Sequence, residues 1–128
     1  MPRRPRDWLR QAELDLAAAR ELQAATRYES AAFFAHQAAE KAVKAMHEAE
    51  GAEARGHSLV ELLGPFSDVP SGVADAARRL DRHYIGARYP NAHPAGAPGD
   101  LYTELDAEQA LRDAEAVVVH AQGHVPPA

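Results

Sequence analysis

Hydrophobic residues recur every three or four positions along most of this chain, which is the spacing of one face of an amphipathic helix. The first such segment spans residues 7–25, and Asp7 is its predicted N-cap. Its inward-facing positions are Leu9, Ala12, Leu16, Ala19 and Leu22. Charged residues occupy many of the other positions, so we expect this helix to bury one face and to expose the other.

A second, longer helix is predicted over residues 28–50, and Gly51 is its stop signal. Small residues form a stripe along it at Ala31, Ala35, Ala38, Ala42, Ala45 and Ala49. Small side chains allow a neighbouring helix to approach closely. We therefore expect this helix at the centre of a helical bundle.

A short helix is predicted over residues 57–64, HSLVELLG. Ser58 can cap it, and Glu61, three residues later, is the expected reciprocal partner of a capping box. His57 opens this segment, and we expect it to pack against the bundle and to bond the backbone.

Two more long helices are predicted in the second half of the chain. One runs from Val73 to about Arg88 and is ended by Pro90, because a proline pushes the preceding residue out of the helical region. The other spans residues 106–120 with Asp106 as its cap. The Gly/Pro-rich segment between them, NAHPAGAPGD, is expected to be a mobile loop.

No segment has the strict alternation of a half-buried strand. We therefore predict an all-α fold, an antiparallel up-and-down four-helix bundle with one extra short helix. The 128 residues suit one domain. Its expected parts are a basic tail at 1–6, the helical bundle at 7–121 and a C-terminal tail at 122–128.

Composition excludes several classes of protein. There is no cysteine, so disulfides, thiolate metal ligands and cysteine nucleophiles are excluded. The formal net charge of -5 argues against a wholly basic, duplex-coating surface, but it allows a local basic site. No apolar run suits a signal peptide or a membrane span, so we expect a cytoplasmic protein that contacts no membrane.

The stretch RYPNAH carries the clearest candidate chemistry, with Arg88 and His93 separated by four residues. Histidine titrates near neutral pH and can take or give a proton, whereas arginine stays charged and can clamp a phosphate. Together they suit phosphodiester transesterification in RNA without a metal: the histidine deprotonates the 2′-hydroxyl and the arginine stabilises the phosphorane. By spacing alone such a pair is common. Arg82 and His83 lie nearby.

The polar face of the second helix is a second candidate, formed by Gln37, Glu40, Lys41 and Lys44. Its alternative interpretation is a solvated surface with ion pairs such as Glu40 to Lys44. His36 and Glu40 have the spacing of helix-borne metal ligands, but Lys44 on the same stripe would repel a cation. No metal site and no cofactor are predicted.

Three segments, in this order, resemble the HEPN domain family. Residues 37–45, QAAEKAVKA, resemble its Q-A-A-E-K-A-x-K-A run, and residues 57–59, HSL, resemble its H-x-L element. Residues 80–92, LDRHYIGARYPNA, resemble its L-D-x-x-Y-x-x-x-R-Y-P-[DN]-A segment. This last segment points to the branch that is often paired with minimal nucleotidyltransferases. The resemblance covers roughly residues 7–121.

The resemblance implies a bundle of four or five helices, a homodimer, and a toxin–antitoxin-like module with a nucleotidyltransferase. Many members are metal-independent RNases with an R-x(4–6)-H motif, which Arg88 and His93 match, and their dimers place two motifs around one cleft. Two departures matter here. Tyr89 stands where nuclease members often have a small polar residue, and Pro90 places His93 beyond the helix end, where we expect it to be held loosely.

Two functions of different classes follow. In the first, the protein is a metal-independent endoribonuclease: Arg88 stabilises the phosphate, His93 is the general acid/base, and Arg82 and His83 help to bind RNA. In the second, it is a non-catalytic module that docks a nucleotidyltransferase or binds a nucleotide, with Arg88 and Tyr89 holding a phosphate and a base. That pocket would be bounded by Gln37, Glu40, Lys41 and Lys44. In a third, blander alternative, Arg88 only stabilises the bundle by pairing with Glu40 or an aspartate.

Overall fold

A computed structural model describes residues 2–127, and over this range the chain is all-α, with helices and no strand. The helices are α1 (Pro5–Ala24), α2 (Tyr28–Ala49), α3 (Leu59–Leu63), α4 (Ser71–Asp81), α5 (His83–Gly86), α6 (Pro98–Leu101) and α7 (Glu104–His124), with a 3₁₀ turn at Pro90–Ala92. The prediction of an all-α fold is confirmed.

Four sides make up the bundle: α1, α2, α7, and α4 continued by α5. A three-residue loop returns the chain from α1 to α2, so these two helices run antiparallel. Helix α7 also runs against α1, because Arg20 contacts Glu115 at 2.9 Å and Gln122 contacts Glu13 at 2.9 Å. Helix α4 packs on α7, and the short helix α3 covers α4 and the end of α2.

Helix α2 lies at the centre, as its stripe of small residues predicts. Five of the six alanines in the stripe are fully buried: Ala31, Ala35, Ala38, Ala42 and Ala45. Ala49, in the last turn, is half-buried. Because these side chains are small, α1 and α7 can both pack closely against α2, and bulky residues such as Val43 and Met46 fill the remaining space.

The outer helices are longer than the sequence pattern predicts. Helix α1 begins at Pro5, since proline suits the first helical turn, and Asp7 lies in that turn instead of capping it. Helix α7 continues to His124. Its cap is Thr103, which forms a capping box with Asp106 at 3.2 and 2.8 Å, so the prediction of Asp106 as the cap is wrong by three residues.

The third long helix is shorter than predicted and is followed by ordered turns. Arg82 separates α4 from α5, because its N–H bonds to the carbonyl of Arg79, three residues back, and the helix tightens there. The expected loop contains the 3₁₀ turn and α6. Gly96 adopts a positive φ of 89° and lies directly against the side chain of Leu101, so this segment packs on itself.

Candidate active-site groove

A groove of about 560 Å³ opens where α5, the 3₁₀ turn, α6 and the start of α7 meet. Its polar lining is supplied by Arg82, His83, His93, Tyr102 and Asp106. We call it the histidine groove. It gathers one arginine and two histidines that the sequence singled out, together with a tyrosine that it did not.

His93 is held in place by the backbone of α5. Its Nε2 lies 2.7 Å from the carbonyl oxygen of Gly86. A carbonyl can only accept, so Nε2 carries the hydrogen and Nδ1 holds the lone pair of the neutral ring. Within residues 2–127 nothing bonds to Nδ1. The 3₁₀ turn that begins at Pro90 directs His93 back towards Gly86, so the expectation that this histidine is loosely held is wrong.

His83 and Tyr102 form the other side of the groove, with His83 Nδ1 at 2.7 Å from the tyrosine hydroxyl. Burial lowers the pKa of His83, and the positive potential of His36 adds to this effect. Burial also raises the pKa of Tyr102 to about 12, with a further contribution from Asp106. Both groups are therefore neutral near pH 7. Tyr102 follows His83 by 19 residues, and no spacing in the sequence indicates this contact.

Arg88 lies in an aromatic box formed by Phe33, Tyr84 and Tyr89. Its guanidinium carbon is 4.7, 4.6 and 4.9 Å from the three ring centroids, and its Nε donates to the carbonyl of Tyr84 at 2.8 Å. Such stacking favours a cation. Within residues 2–127 no carboxylate pairs with Arg88, so the alternative in which it pairs with Glu40 or an aspartate is wrong.

Arg88 and His93 thus have different neighbours, and no hydrogen bond joins them within the described chain. Arg88 does not line the histidine groove, whereas Arg82 does. Arg82 is exposed and, over residues 2–127, has no carboxylate partner. Tyr89, the residue after Arg88, is 46% exposed at the edge of the aromatic box.

The charged side chains on the polar face of α2, Glu40, Lys41 and Lys44, all form ion pairs. Glu40 is buried, and its two oxygens bind His57 Nδ1 at 2.9 Å and Lys44 Nζ at 3.2 Å. Lys41 Nζ lies 2.6 Å from an oxygen of Asp15. The predicted pair of Glu40 and Lys44 exists, but it is buried rather than solvated. The oxygen of Gln37 is also buried, and no partner for it lies within residues 2–127.

His57 does more than the sequence suggests. Besides binding Glu40, its ring stacks on Tyr84 with centroids 4.5 Å apart. Its carbonyl lies 3.1 Å from Nε2 of His36, which is fully buried. This contact joins α2 to the segment before α3. The expectation that His57 packs on the bundle holds, but its main side-chain partner is the carboxylate of Glu40.

Asp81, at the end of α4, anchors the start of α3. It accepts hydrogen bonds from Ser58 Oγ at 3.1 Å and from the backbone N–H groups of Leu59 and Val60 at 2.7 and 3.2 Å. His36 Nε2 is 3.4 Å away. Burial alone would raise the pKa of Asp81, but these contacts outweigh it and hold the pKa below its usual value.

Ser58 caps α3 as predicted, accepting from the N–H of Glu61 at 3.2 Å. The partner that completes the cap is Asp81 from a distant part of the chain, not the Glu61 side chain. The residues His36, Glu40, Lys44, His57 and Asp81 are called the buried network below, after its two buried members, His36 and Glu40.

Comparison with known proteins identifies the family. The model of the HEPN domain matches residues 5–123, almost the whole of the chain. The chain belongs to the HEPN domain family. The match extends two residues beyond each end of the predicted bundle at 7–121. Within residues 2–127, no helix of this HEPN domain is both long and apolar enough to cross a membrane.

Solved structures with the same fold include three similar proteins. TT1696 from Thermus thermophilus is 42% identical with a TM-score of 0.93, and the match covers 98% of this chain and all of that one. ST0689, described as an archaeal HEPN homologue, is 37% identical with a TM-score of 0.84, covering 96% and 98%. An HEPN domain protein from Thermotoga maritima is 30% identical with a TM-score of 0.74, covering 91% and 95%.

A relative from Methanocaldococcus jannaschii carries a functional name. It is called "Putative toxin MJ1304" and is 27% identical to this HEPN domain over 123 residues. The match covers 87% of this chain and 81% of the relative.

Proposed function

We propose that this HEPN domain is a metal-independent endoribonuclease of a toxin–antitoxin-like module and that it cuts RNA at the histidine groove. The observation that carries the proposal is the orientation of His93, whose Nε2–H is bound to Gly86 while Nδ1 is left to exchange a proton. The toxin name of the Methanocaldococcus relative supports the biological setting.

Transesterification requires proton transfer at two oxygens. The 2′-oxygen attacks phosphorus as its proton leaves, the bond from phosphorus to the 5′-oxygen breaks, and that oxygen takes up a proton. The products are a 2′,3′-cyclic phosphate and a free 5′-hydroxyl. His93 Nδ1 serves one of the two oxygens, and the charge of Arg82, which has no carboxylate partner within residues 2–127, attracts the phosphate to the groove. Neither step calls for a metal ion.

We further propose a homodimer formed next to the groove and a minimal nucleotidyltransferase as the partner of the module. Three large apolar side chains near the groove are exposed, Ile85 at 46%, Leu101 at 42% and Leu105 at 66%, and exposed apolar patches are typical of protein contacts. A second copy docked there would bring its own histidine groove next to the first, so that the His93 side chains of both copies lie near one cleft. Light scattering of the purified protein tests the dimer, and Leu105→Glu should yield monomers; a wild type that is monomeric at micromolar concentration contradicts it.

The nuclease is tested with single-stranded RNA in the presence of EDTA. We expect cleavage by the wild type, a rate lower by about 10²-fold or more in His93→Ala, and cyclic phosphate ends on the products. His124→Ala is the matched control, because this histidine lies at the far end of α7, outside the groove. Equal rates for the wild type and His93→Ala would end the nuclease proposal.

The aromatic box favours a second candidate, a non-catalytic nucleotide-binding module. The guanidinium of Arg88 stacks on three rings and has no carboxylate partner within residues 2–127, and the exposed ring of Tyr89 is available for a base to stack on. Calorimetry with AMP and ATP tests this function. We expect Arg88→Ala to abolish binding while Arg20→Ala, which removes a surface ion pair, leaves it unchanged. Absence of heat for both nucleotides with the wild type rejects this candidate.

A further inference from the structure

The histidine groove holds two histidines against one tyrosine. The ring of His83 meets Tyr102 with centroids 5.4 Å apart at 60°, and the ring of His93 meets the same tyrosine at 6.4 Å and 87°. Each imidazole is fixed by one hydrogen bond, His83 through Nδ1 and His93 through Nε2. In each ring the other nitrogen has no bond within residues 2–127. The groove therefore presents two oriented imidazoles.

Gly86 positions both of them. Its carbonyl oxygen accepts the hydrogen bond of His93 at 2.7 Å. A Cβ atom placed on Gly86 would lie 3.3 Å from the hydroxyl oxygen of Tyr102, closer than ordinary contact. The missing side chain thus leaves room for the hydroxyl that binds His83. Gly86 itself is buried within α5, so the position of its backbone is defined by the bundle.

We propose that His83 is the second catalytic residue of the groove, acting as the general base while His93 acts as the general acid, with Tyr102 and Gly86 as positioning residues. This rests on the proposed nuclease function. His83 Nε2 takes the proton of the 2′-hydroxyl, with Nδ1–H donating to Tyr102. The 2′-oxygen bonds to phosphorus, the bond to the 5′-oxygen breaks, and the imidazolium of His93 gives its Nδ1 proton to that oxygen.

The surroundings of the two rings suit these roles. A base must be neutral before the reaction, and burial lowers the pKa of His83. The charged or titratable groups that act on His83 are His36 and Arg82, which lower its pKa, Asp106 and Asp113, which raise it, and its hydrogen-bond partner Tyr102. An acid must carry two protons, and the carbonyl of Gly86 accepts from His93 in its charged form as well as in its neutral form.

Two RNA substrates separate the roles. In one the leaving group is the ordinary 5′-oxygen, and in the other it is a 5′-bridging sulfur, which departs without a proton. With the ordinary RNA we expect His83→Ala and His93→Ala each to lower the rate by about 10²-fold. With the sulfur substrate, His93→Ala should recover most of the wild-type rate, and His83→Ala should not. The acid-side limb of the pH–rate profile should be absent in His83→Ala.

The failures are distinguishable. If His93→Ala is inactive and His83→Ala cuts like the wild type, the inference is wrong and the nuclease proposal stands. If His83→Ala instead of His93→Ala recovers the wild-type cleavage rate on the sulfur substrate, the roles of acid and base are reversed. That result would also overturn the inference. A wild type that cuts neither substrate removes the nuclease proposal and this inference together.

Because His83 is half-buried, variants that keep the ring provide a second route. Tyr102→Phe removes only the hydroxyl, and Gly86→Ala displaces it by a few tenths of an ångström. We expect each to slow cleavage by about tenfold, to lower the pKa of His83 in ¹⁵N NMR titrations, and to retain the wild-type circular dichroism. Tyr28→Phe, at the start of α2, is the matched control. Unchanged cleavage and an unchanged His83 titration in Tyr102→Phe would reject the positioning role.

Discussion

The buried network and the histidine groove are built from the same kinds of residue but differ in how their charges are satisfied. In the network, Glu40 is bound by both Lys44 and His57, and Asp81 accepts three hydrogen bonds. In the groove, Arg82 has no carboxylate partner within residues 2–127. A charge whose partners lie inside the fold stabilises the bundle, whereas one without a partner is available to a ligand.

The candidate residues predicted from the sequence therefore fall into two groups, one paired within the bundle and one lining the groove. Lys41 pairs with Asp15 of α1, and Glu40 binds both His57 and Lys44, the latter within α2 itself, so these residues serve first to hold α2 in the bundle. His83 and His93, by contrast, line an open groove. Variants of the network should therefore lower stability, and variants of the groove should lower activity.

The largest effect on stability is expected at Asp81. Asp81→Ala leaves the backbone N–H groups of Leu59 and Val60 without their acceptor and removes the carboxylate beside the buried His36, so we expect a loss of about 2–3 kcal/mol in the free energy of unfolding. Urea denaturation followed by circular dichroism measures it. Asp75→Ala, which removes an exposed pair with Arg78, should be nearly neutral. Equal losses in the two variants would refute the anchoring role of Asp81.

Glu40→Gln should have the next largest effect. The substitution keeps the shape of the side chain but leaves the half-buried Lys44 and the exposed His57 without their negative partner. We expect a loss of about 1–2 kcal/mol in the free energy of unfolding, again from urea denaturation. RNA cleavage below the unfolding transition should change by less than about threefold, far less than for a proton-transferring residue. A loss of cleavage as large as that expected for His93→Ala would contradict the separation of network and groove, because Glu40 would then be part of the catalytic site.

Acid should weaken the network through Asp81. The pKa of this carboxyl is lower in the folded chain than its ordinary value of 3.8, so it stabilises the fold at higher pH. That contribution is lost as the pH falls through the folded-state value. Consequently the stability difference between the wild type and Asp81→Asn should shrink when the pH drops from neutral to below 3.8. A difference that is constant with pH would show that the charge of Asp81 adds nothing.

The smallest effects on stability are expected in the groove. His93→Ala removes one hydrogen bond to a carbonyl, and Arg82→Ala removes none that the described chain makes, so each should cost less than about 1 kcal/mol. Thermal unfolding checks this. Both variants should nevertheless lose RNA cleavage, Arg82→Ala mainly through weaker RNA binding. Strong destabilisation by either substitution would contradict this prediction and show that the groove, like the buried network, stabilises the fold.

Local patterns in the sequence account for much of the fold. The alanine stripe of α2 predicts a central helix, and Ser58 predicts the start of α3, because helix faces and caps depend on residues three or four positions apart. The ends of the helices are less predictable. The break at Arg82 and the cap at Thr103 each depend on one hydrogen bond, which the periodic pattern of hydrophobic residues does not reveal. Of the residues predicted for the candidate site, Arg82, His83 and His93 line one groove, whereas Arg88 lies outside it.

Periodic or contiguous residues therefore suffice to predict the all-α class, the central position of α2 and membership of the HEPN family. Three contacts emerge only from the folded chain: Tyr102 binds His83, the Gly86 carbonyl orients His93, and Arg88 stacks on aromatic rings instead of pairing with Glu40. These contacts depend on how helices pack and how one turn folds back on α5. Such packing depends on the burial of many side chains together, so no local spacing of residues in the sequence predicts it.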